Sequence, residues 1–475
     1  MIPMTLTDIA AAVGGRLAGG ADPEAVALGA STDSRAVTAY DLFVAVVGEH
    51  HDAHDYAASA VASGAVAVLA SRELDVPCVV VDDTVAALGL LAHAVLERLP
   101  DVVVVGVTGS SGKTSTKDLL AQVLPAYGRT LAPEGSFNTE VGLPMTALRL
   151  EPHTRVLVAE MGARGVGHIA YLCTITPPRI GVVLNVGSAH VGEFGSREAI
   201  AVAKGELVEA LPHAGDGGVA VLNADDPLVL AMRSRTRARV VTYGETVHAD
   251  VRADLVELDG EGRASYDLCH FGRRARVRLG LHGRHHVSNS LAVAAVALSL
   301  GLDLDEVASL LAAARPASRW RMEVTRTASG ATVVNDAYNA NPESVRAALD
   351  ALVAMARPTA ERDARRTVAV LGEMRELGET SVPEHEEIGR TAVRLGVARL
   401  VVVGASDASV ALAEGARSEV AATGAATEVV QVDGVDAAVA DLVATTTPDD
   451  VVLVKASRGV ALERVAAGLL AGVSA

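Results

Sequence analysis

The seven residues Thr108 to Thr114, T-G-S-S-G-K-T, carry the plainest chemistry in the chain. A valine run, Val102–Val107, leads into them and a helical pattern follows at once. A strand that turns into a helix in this way gathers the N–H groups of the turn and of the helix's first turn about one point. Phosphate binds at such a point, because unpaired amides and the helix dipole both favour an anion. Thr108, Gly109, Ser110, Ser111 and Gly112 would form the cradle. Lys113 would meet the terminal phosphates and the Thr114 hydroxyl would hold Mg²⁺. The strict G-x-x-x-x-G-K-[ST] pattern is not met, since Val107 stands at its first glycine.

Other reactive side chains stand where a strand pattern ends. Glu160 follows Arg155–Ala159, in the same stretch as the phosphate loop, and a carboxylate there suits Mg²⁺. His190 follows the strand Ile180–Leu184. Lys204 falls on the apolar stripe Ile200, Leu207, Leu211 of a helix spanning 197–211. Burial there would lower its pKa, and a neutral amine near a metal could take up CO₂ as a carbamate. The alternative is a stem that packs while the ammonium reaches water, and the spacing leaves both open. The string G-R-H-H-V-S-N-S (283–290) opens an Ala/Val helix, with Ser288 a candidate cap and Asn289 offering the paired donor and acceptor that adenine needs. Asp336 ends a further strand. Arg375, Lys455 and Arg458 lie in strand-end loops, where they could clamp a carboxylate or serve as surface charges. Ser34 and Arg35 stand before a strand, where Arg35 could meet a phosphate or a surface carboxylate. His50, His51, Asp52, His54 and Asp55 crowd one loop with no distant partner, which reads as a polar turn and helix cap rather than a metal site.

These residues need α/β scaffolding, and the chain supplies it. Its 475 residues allow about three domains, half of them apolar but only 3% aromatic, so the cores are aliphatic. A small α/β unit occupies 1–99. Alternating strands and helices from 100 to 316 predict a mostly parallel sheet, and a second α/β sheet fills 317–475. The net charge of −17 excludes a general nucleic-acid or anionic-membrane partner. Three scattered cysteines, Cys78, Cys173 and Cys269, give no disulfide framework and fit a reducing cytoplasm. No signal peptide or membrane span is expected.

In order along the chain, T-D-S-R with D-L-F-V-A, T-G-S-S-G-K-T, S-F-N-T-E-V-G-L-P, E-M-G, A-H-V-G-E-F-G-S, A-K-G-E, S-N-S, R-M-E, N-D-A-Y-N-A-N-P, G-E-M-R-E-L-G and K-A-S-R-G form a set. As a set they resemble the Mur ligases, ATP-dependent amide-forming enzymes of peptidoglycan precursor synthesis, and within them the branch that adds D-alanyl-D-alanine. The resemblance covers essentially the whole chain. It implies a UDP-binding first domain, a central P-loop ATPase domain and a Rossmann-like third domain that closes on ATP and binds the incoming dipeptide. The implied substrates are ATP, UDP-N-acetylmuramoyl-tripeptide and D-Ala-D-Ala, joined through an acyl phosphate with Mg²⁺ by a cytoplasmic monomer.

By that resemblance Ser34 and Arg35 hold the UDP end, and Asn138 and Thr139 the muramoyl-peptide. Thr114 and Glu160 hold one Mg²⁺, while His190 and carbamylated Lys204 hold a second. Asn289 contacts adenine, and Arg321 and Asp336 reach ATP from the third domain. Lys113, His190, Lys204 and Arg321 are the implied catalytic groups, with Arg375, Lys455, Ser457 and Arg458 on the substrate. Ala456 departs from the family's K-G-S-R and bears on the Lys455–Arg458 contact. The sibling that adds the third amino acid carries an Asp-Asn-Pro-Arg string that is absent here, and the related folate ligases would leave 1–99 unexplained. A nucleotide-switched binding protein is the alternative from another class.

Overall fold

The structure, a computed structural model, describes residues 1–48, 51–187, 191–359 and 362–472. Among them, three larger sheets follow one another along the chain. The first has Gly29–Ser31, Asp41–Val44, Ala67–Ala70 and Cys78–Val80 parallel in that order, with Arg16–Ala18 antiparallel at the far edge. The strand expected over 42–47 ends at Val44, because the chain turns and Val47 instead bridges to Asp52. The opening helix Leu6–Val13 stops where expected, at Gly14 in a left-handed conformation (φ 64°).

The central sheet has nine strands. The P-loop strand Val103–Thr108 lies between Ile180–Val183 and Val156–Glu160, all parallel, with every one of its residues buried. Beyond Ile180–Val183 come Val219–Asn223 and Arg239–Gly244, also parallel. The far side is an antiparallel meander, Val251–Leu258, Arg263–His270 and Arg273–His282. The βαβ alternation alone did not foresee this meander. Its outer strand places Arg274, Arg276 and Arg278 on the exposed face, charges that suit an open sheet edge.

The C-terminal sheet runs Glu323–Arg326, Thr332–Asn335, Asp450–Lys455, Arg366–Leu371, Arg399–Val403, Glu428–Val432, parallel except for the first strand. Helices cover its faces, as a Rossmann-like layer requires. One aliphatic cluster joins the first sheet to the central one. Leu88, Leu91 and Val95 of the helix Thr84–Glu97 pack in the same core as Leu143, Leu172 and Ile175. No helix among the described residues is long and apolar enough to cross a membrane. The three cysteines are free and buried.

Candidate active site

The phosphate loop begins one residue later than the strict pattern would place it. Val107 is fully buried and still pairs in the sheet, so its position needs a β-branched core residue rather than glycine. The glycines that the turn does need are both present. A Cβ at Gly109 would stand 2.8 Å from Cβ of Leu184, and Gly112 has φ 80° with Asn289 Oδ1 2.6 Å from where its Cβ would lie. Gly112 is also the N-cap of the helix Lys113–Val123, with no side chain capping it. The first-turn amides therefore have no intrahelical partner.

Lys113 is half-buried, and its Nζ donates to the Gly109 carbonyl at 2.7 Å. Burial lowers its pKa, while the Glu160 carboxylate opposes that shift. Thr114 Oγ1 donates to Glu160 Oε1 at 3.3 Å and lies 3.1 Å from Ser136 Oγ. Asn138 Nδ2 donates to the same Glu160 oxygen at 2.8 Å. The other oxygen, Oε2, is buried without a hydrogen-bond partner among the described residues. An ionised carboxylate left half-satisfied in the interior is costly unless a cation completes it. The Thr114 hydroxyl with this open Glu160 oxygen therefore fits a divalent cation such as Mg²⁺.

Lys204 is 3% exposed on the helix Arg197–Glu209 and lines the same cleft. Burial, with the neighbouring Lys113 charge second, pushes its pKa well below the usual lysine range. Among the described residues no side chain bonds or ion-pairs with it. The stem is packed, and the residue faces the cleft rather than the outer surface. Two residues on, buried Glu206 accepts from the amides of Gly167 (2.5 Å) and Ala170 (2.9 Å), and so caps the helix His168–Ile175. The acid of A-K-G-E is thus structural. His190 lies outside the described residues, as does His50. Among the described residues no three His, Cys, Asp or Glu side chains form a metal-holding group.

The third domain reaches the cleft through several segments, the first of them around Arg321. Trp320 (φ 58°) and Met322 (φ 49°) flank Arg321 in left-handed conformations that non-glycine residues adopt at a cost. Trp320 O accepts from Tyr338 N at 3.2 Å, and Met322 N donates to Asp336 Oδ1 at 3.1 Å. Arg321 then lies 4.2 Å over the Tyr338 ring, and its Nη2 donates to Thr114 Oγ1 (3.1 Å) and Ser136 Oγ (3.3 Å). Asp336 also pairs with buried Lys455 at 2.6 Å, and Lys455 Nζ donates to Asn339 O at 2.9 Å. The helix Pro342–Ala356 opens with a capping box between Asn341 and Ser344 and points into the cleft.

The cleft measures about 400 Å³, within the range of small-ligand sites. Ser110, Ser111, Gly112, Lys113, Thr114, Asn138, Thr139, Glu160, Lys204, Asn289, Arg321, Asp336, Arg375 and Lys455 all line it. Thr108 ends the buried strand behind the loop, and Gly109 accepts the Lys113 bond. Other expected residues lie elsewhere. Ser34 and Arg35 sit in the first domain, where Arg35 pairs with Asp33 at 2.8 Å, both exposed. Ser457 stands behind the cleft wall, its hydroxyl accepting from Arg375 N (2.9 Å) and donating to Ala340 O (3.3 Å). Arg458 stacks over Trp320 at 4.2 Å and pairs with Glu463 at 2.6 Å. Ala456 is fully buried, and a Cβ at Gly372 would meet its methyl at 3.0 Å.

Two local expectations resolve differently. Ser288 does not cap its helix. The helix begins at His285, after an N-cap, Arg284, whose side chain makes no capping bond, and Ser288 lies inside the helix, near the buried Tyr243 hydroxyl. The histidine-rich loop is a polar turn. Asp52 accepts from His54 N at 2.9 Å, and buried His54 accepts from Ser71 N at 2.9 Å. Sequence reasoning passed over Ser136, Tyr338, Asn339 and Asn341, although all lie within strings it quoted.

The Arg375 loop depends on a neutral histidine. His385 Nε2 accepts from Met374 N at 2.8 Å, its Nδ1–H donates to Ser381 O at 2.7 Å, and burial lowers its pKa. In the unfolded chain it protonates near pH ~6.5. Below that pH the unfolded state binds the extra proton, so stability falls as pH falls toward the native pKa. The melting temperature should therefore drop on acidification from about pH 7.5 to about pH 5.5, and drop less in His385→Gln. Equal drops in the two proteins would contradict this.

A phosphate loop facing a buried acid and a buried lysine, with an arginine entering from a second α/β domain, defines a multidomain ATP-using enzyme. Three family models match the chain: the Mur ligase family catalytic domain over 29–102, the Mur ligase middle domain over 107–297, and the Mur ligase glutamate ligase domain over 320–458. UDP-N-acetylmuramoyl-tripeptide–D-alanyl-D-alanine ligase of Mycobacterium bovis is 48% identical, over 99% of this chain and 98% of its own. The Escherichia coli enzyme of the same name is 37% identical over 87% and 89%. Among solved structures, MurF from Acinetobacter baumannii superimposes with a TM-score of 0.87 at 31% identity, covering 98% and 99% of the two chains. MurF from Thermotoga maritima in complex with ADP gives 0.79 at 31%, covering 94% and 97%. The chain belongs to the Mur ligase family.

Proposed function

We infer that this chain is the ATP-dependent ligase that joins D-Ala-D-Ala to UDP-N-acetylmuramoyl-tripeptide, forming the UDP-linked pentapeptide of peptidoglycan synthesis with ADP and phosphate. The single observation that carries this reading is the cleft. It holds a phosphate loop, a buried carboxylate with one oxygen open and a buried lysine, that oxygen and the lysine unpartnered among the described residues, and residues of two domains wall it. The relatives of that name match over 99% and 87% of this chain.

The domain assignment follows: 1–99 for the UDP-muramoyl end, 100–316 for ATP, and 317–475 for closure and the incoming dipeptide. The tripeptide carboxylate attacks the γ-phosphate of ATP to give an acyl phosphate, and the dipeptide amine then displaces phosphate through a tetrahedral intermediate. Lys113 and the first-turn amides hold the transferring phosphate. Asn138 and Thr139 orient the peptide beside Glu160, and Arg321 brings a further positive charge from the third domain. Water must be kept from the acyl phosphate, and the Arg321–Tyr338 and Asp336–Lys455 contacts form the wall that does so. Mg²⁺, when bound by Thr114 and Glu160 and by His190 with carbamylated Lys204, supplies charge neutralisation on the phosphates. Formation of that carbamate consumes CO₂ and the neutral amine and releases one proton. Ser34 and Arg35 contact the UDP moiety, Asn289 the adenine, and Arg375 with Lys455 the peptide carboxylates. The enzyme works as a cytoplasmic monomer.

The test is phosphate release from ATP with each acceptor supplied or withheld. Release is expected only with UDP-tripeptide and D-Ala-D-Ala together. Release that is indifferent to both would overturn the ligase reading in favour of a nucleotide-switched binder.

A further inference from the structure

One cleft residue has no part in the reading above. Asn185 follows the strand Ile180–Val183 and lines the cleft. Its backbone oxygen accepts from Ser110 N at 3.1 Å, its Oδ1 accepts from Ser111 N at 2.9 Å, and its Nδ2 donates to Ser111 O at 3.2 Å. Two residues on, Gly187 N donates to Ser110 Oγ at 2.9 Å. Beneath them, Leu184 fills the space against Gly109 and approaches Gly112. The side-chain amide thus exchanges both hydrogen bonds with Ser111, the same pairing that two facing residues make across an antiparallel sheet.

This pairing decides which part of the loop is open to phosphate. The Ser110 and Ser111 amides already have acceptors, whereas the amides of Lys113 and Thr114 have no intrahelical partner. We propose that Asn185 is a positioning residue for ATP: it pins Ser110 and Ser111 so that the phosphates meet the helix side of the loop, beside Lys113 and Thr114. The role requires a donor and an acceptor on one short planar group. Alanine supplies neither. Aspartate keeps the acceptor, but it sets a second oxygen against Ser111 O and adds negative charge beside the phosphates.

The inference rests on the ATP-site reading, and the experiment separates the two. Asn185→Ala and Asn185→Asp are assayed by phosphate release with ATP, UDP-tripeptide and D-Ala-D-Ala each varied in turn. ADP affinity is measured by calorimetry, and amide exchange is followed across 108–112 and 219–223. In Asn185→Ala the KM for ATP should rise about tenfold or more and ADP affinity should weaken in parallel, while the KM for D-Ala-D-Ala stays within about twofold. Asn185→Asp should lose more. Exchange should quicken across 108–112 and stay unchanged in the strand Val219–Asn223. An unchanged KM for ATP overturns the proposal. So does an equal loss for all substrates with faster exchange in both segments, which would mark a merely structural residue. Lys113→Ala serves as the control. If it too binds ADP normally, the ATP-site reading itself fails. Loss there beside normal Asn185→Ala removes only the present inference.

Discussion

Lys204→Ala is expected to lose phosphate release by on the order of a thousandfold or more, the scale at which removing a charge-organising group from a phosphoryl-transfer site acts. A loss of that size corresponds to about 4 kcal/mol of transition-state stabilisation. The expectation begins with burial. A lysine at 3% exposure, with no acceptor among the described residues and Lys113 nearby, is poorly placed to stay an ammonium. As a neutral amine it can take up CO₂ and become an anion, which suits a cleft that already contains Lys113 and Arg321. The alanine variant cannot form the carbamate, so bicarbonate should not restore it. Short carboxylic acids such as acetate, able to occupy the vacated arm and offer the same two oxygens, should restore part of the rate. Phosphate release measured against acetate concentration checks this, and full activity in Lys204→Ala without any additive would dismiss the carbamate.

The second large effect is expected at Lys113. Lys113→Ala should abolish measurable ligation, by on the order of a thousandfold or more, and weaken ADP binding, while UDP-tripeptide binding persists. The amine is half-buried, and it donates to the loop's own Gly109 carbonyl. Its work is therefore inside the cradle, next to Glu160 and far in sequence from the first domain, where Ser34 and Arg35 lie. Calorimetry with ADP and with UDP-tripeptide separately would show the split. Equal weakening of both would mean that the variant disturbs the whole central domain.

Much of this site was legible before folding, because local chemistry writes itself locally. T-G-S-S-G-K-T specifies a strand, a turn and a helix start within seven residues, and the i, i+3, i+4 spacing around Lys204 placed it on the buried stripe. The substitution of Val107 for the pattern's first glycine is likewise a local matter, since the strand simply continues one residue further. Only tertiary structure could decide the rest. Whether Lys204 reaches water depends on what packs against its stripe, and the spacing is the same in either case. Ser288 looks like a cap in sequence, yet the helix starts three residues earlier and Ser288 lies inside it, near the buried Tyr243 hydroxyl. Arg321 and Thr114 are 207 residues apart and share a hydrogen bond, and Asn185 grips Ser111 across 74. Such pairings arise where strands distant in sequence become neighbours in a sheet and two domains share one cleft. A one-dimensional pattern holds the residue types but not the register that brings them together.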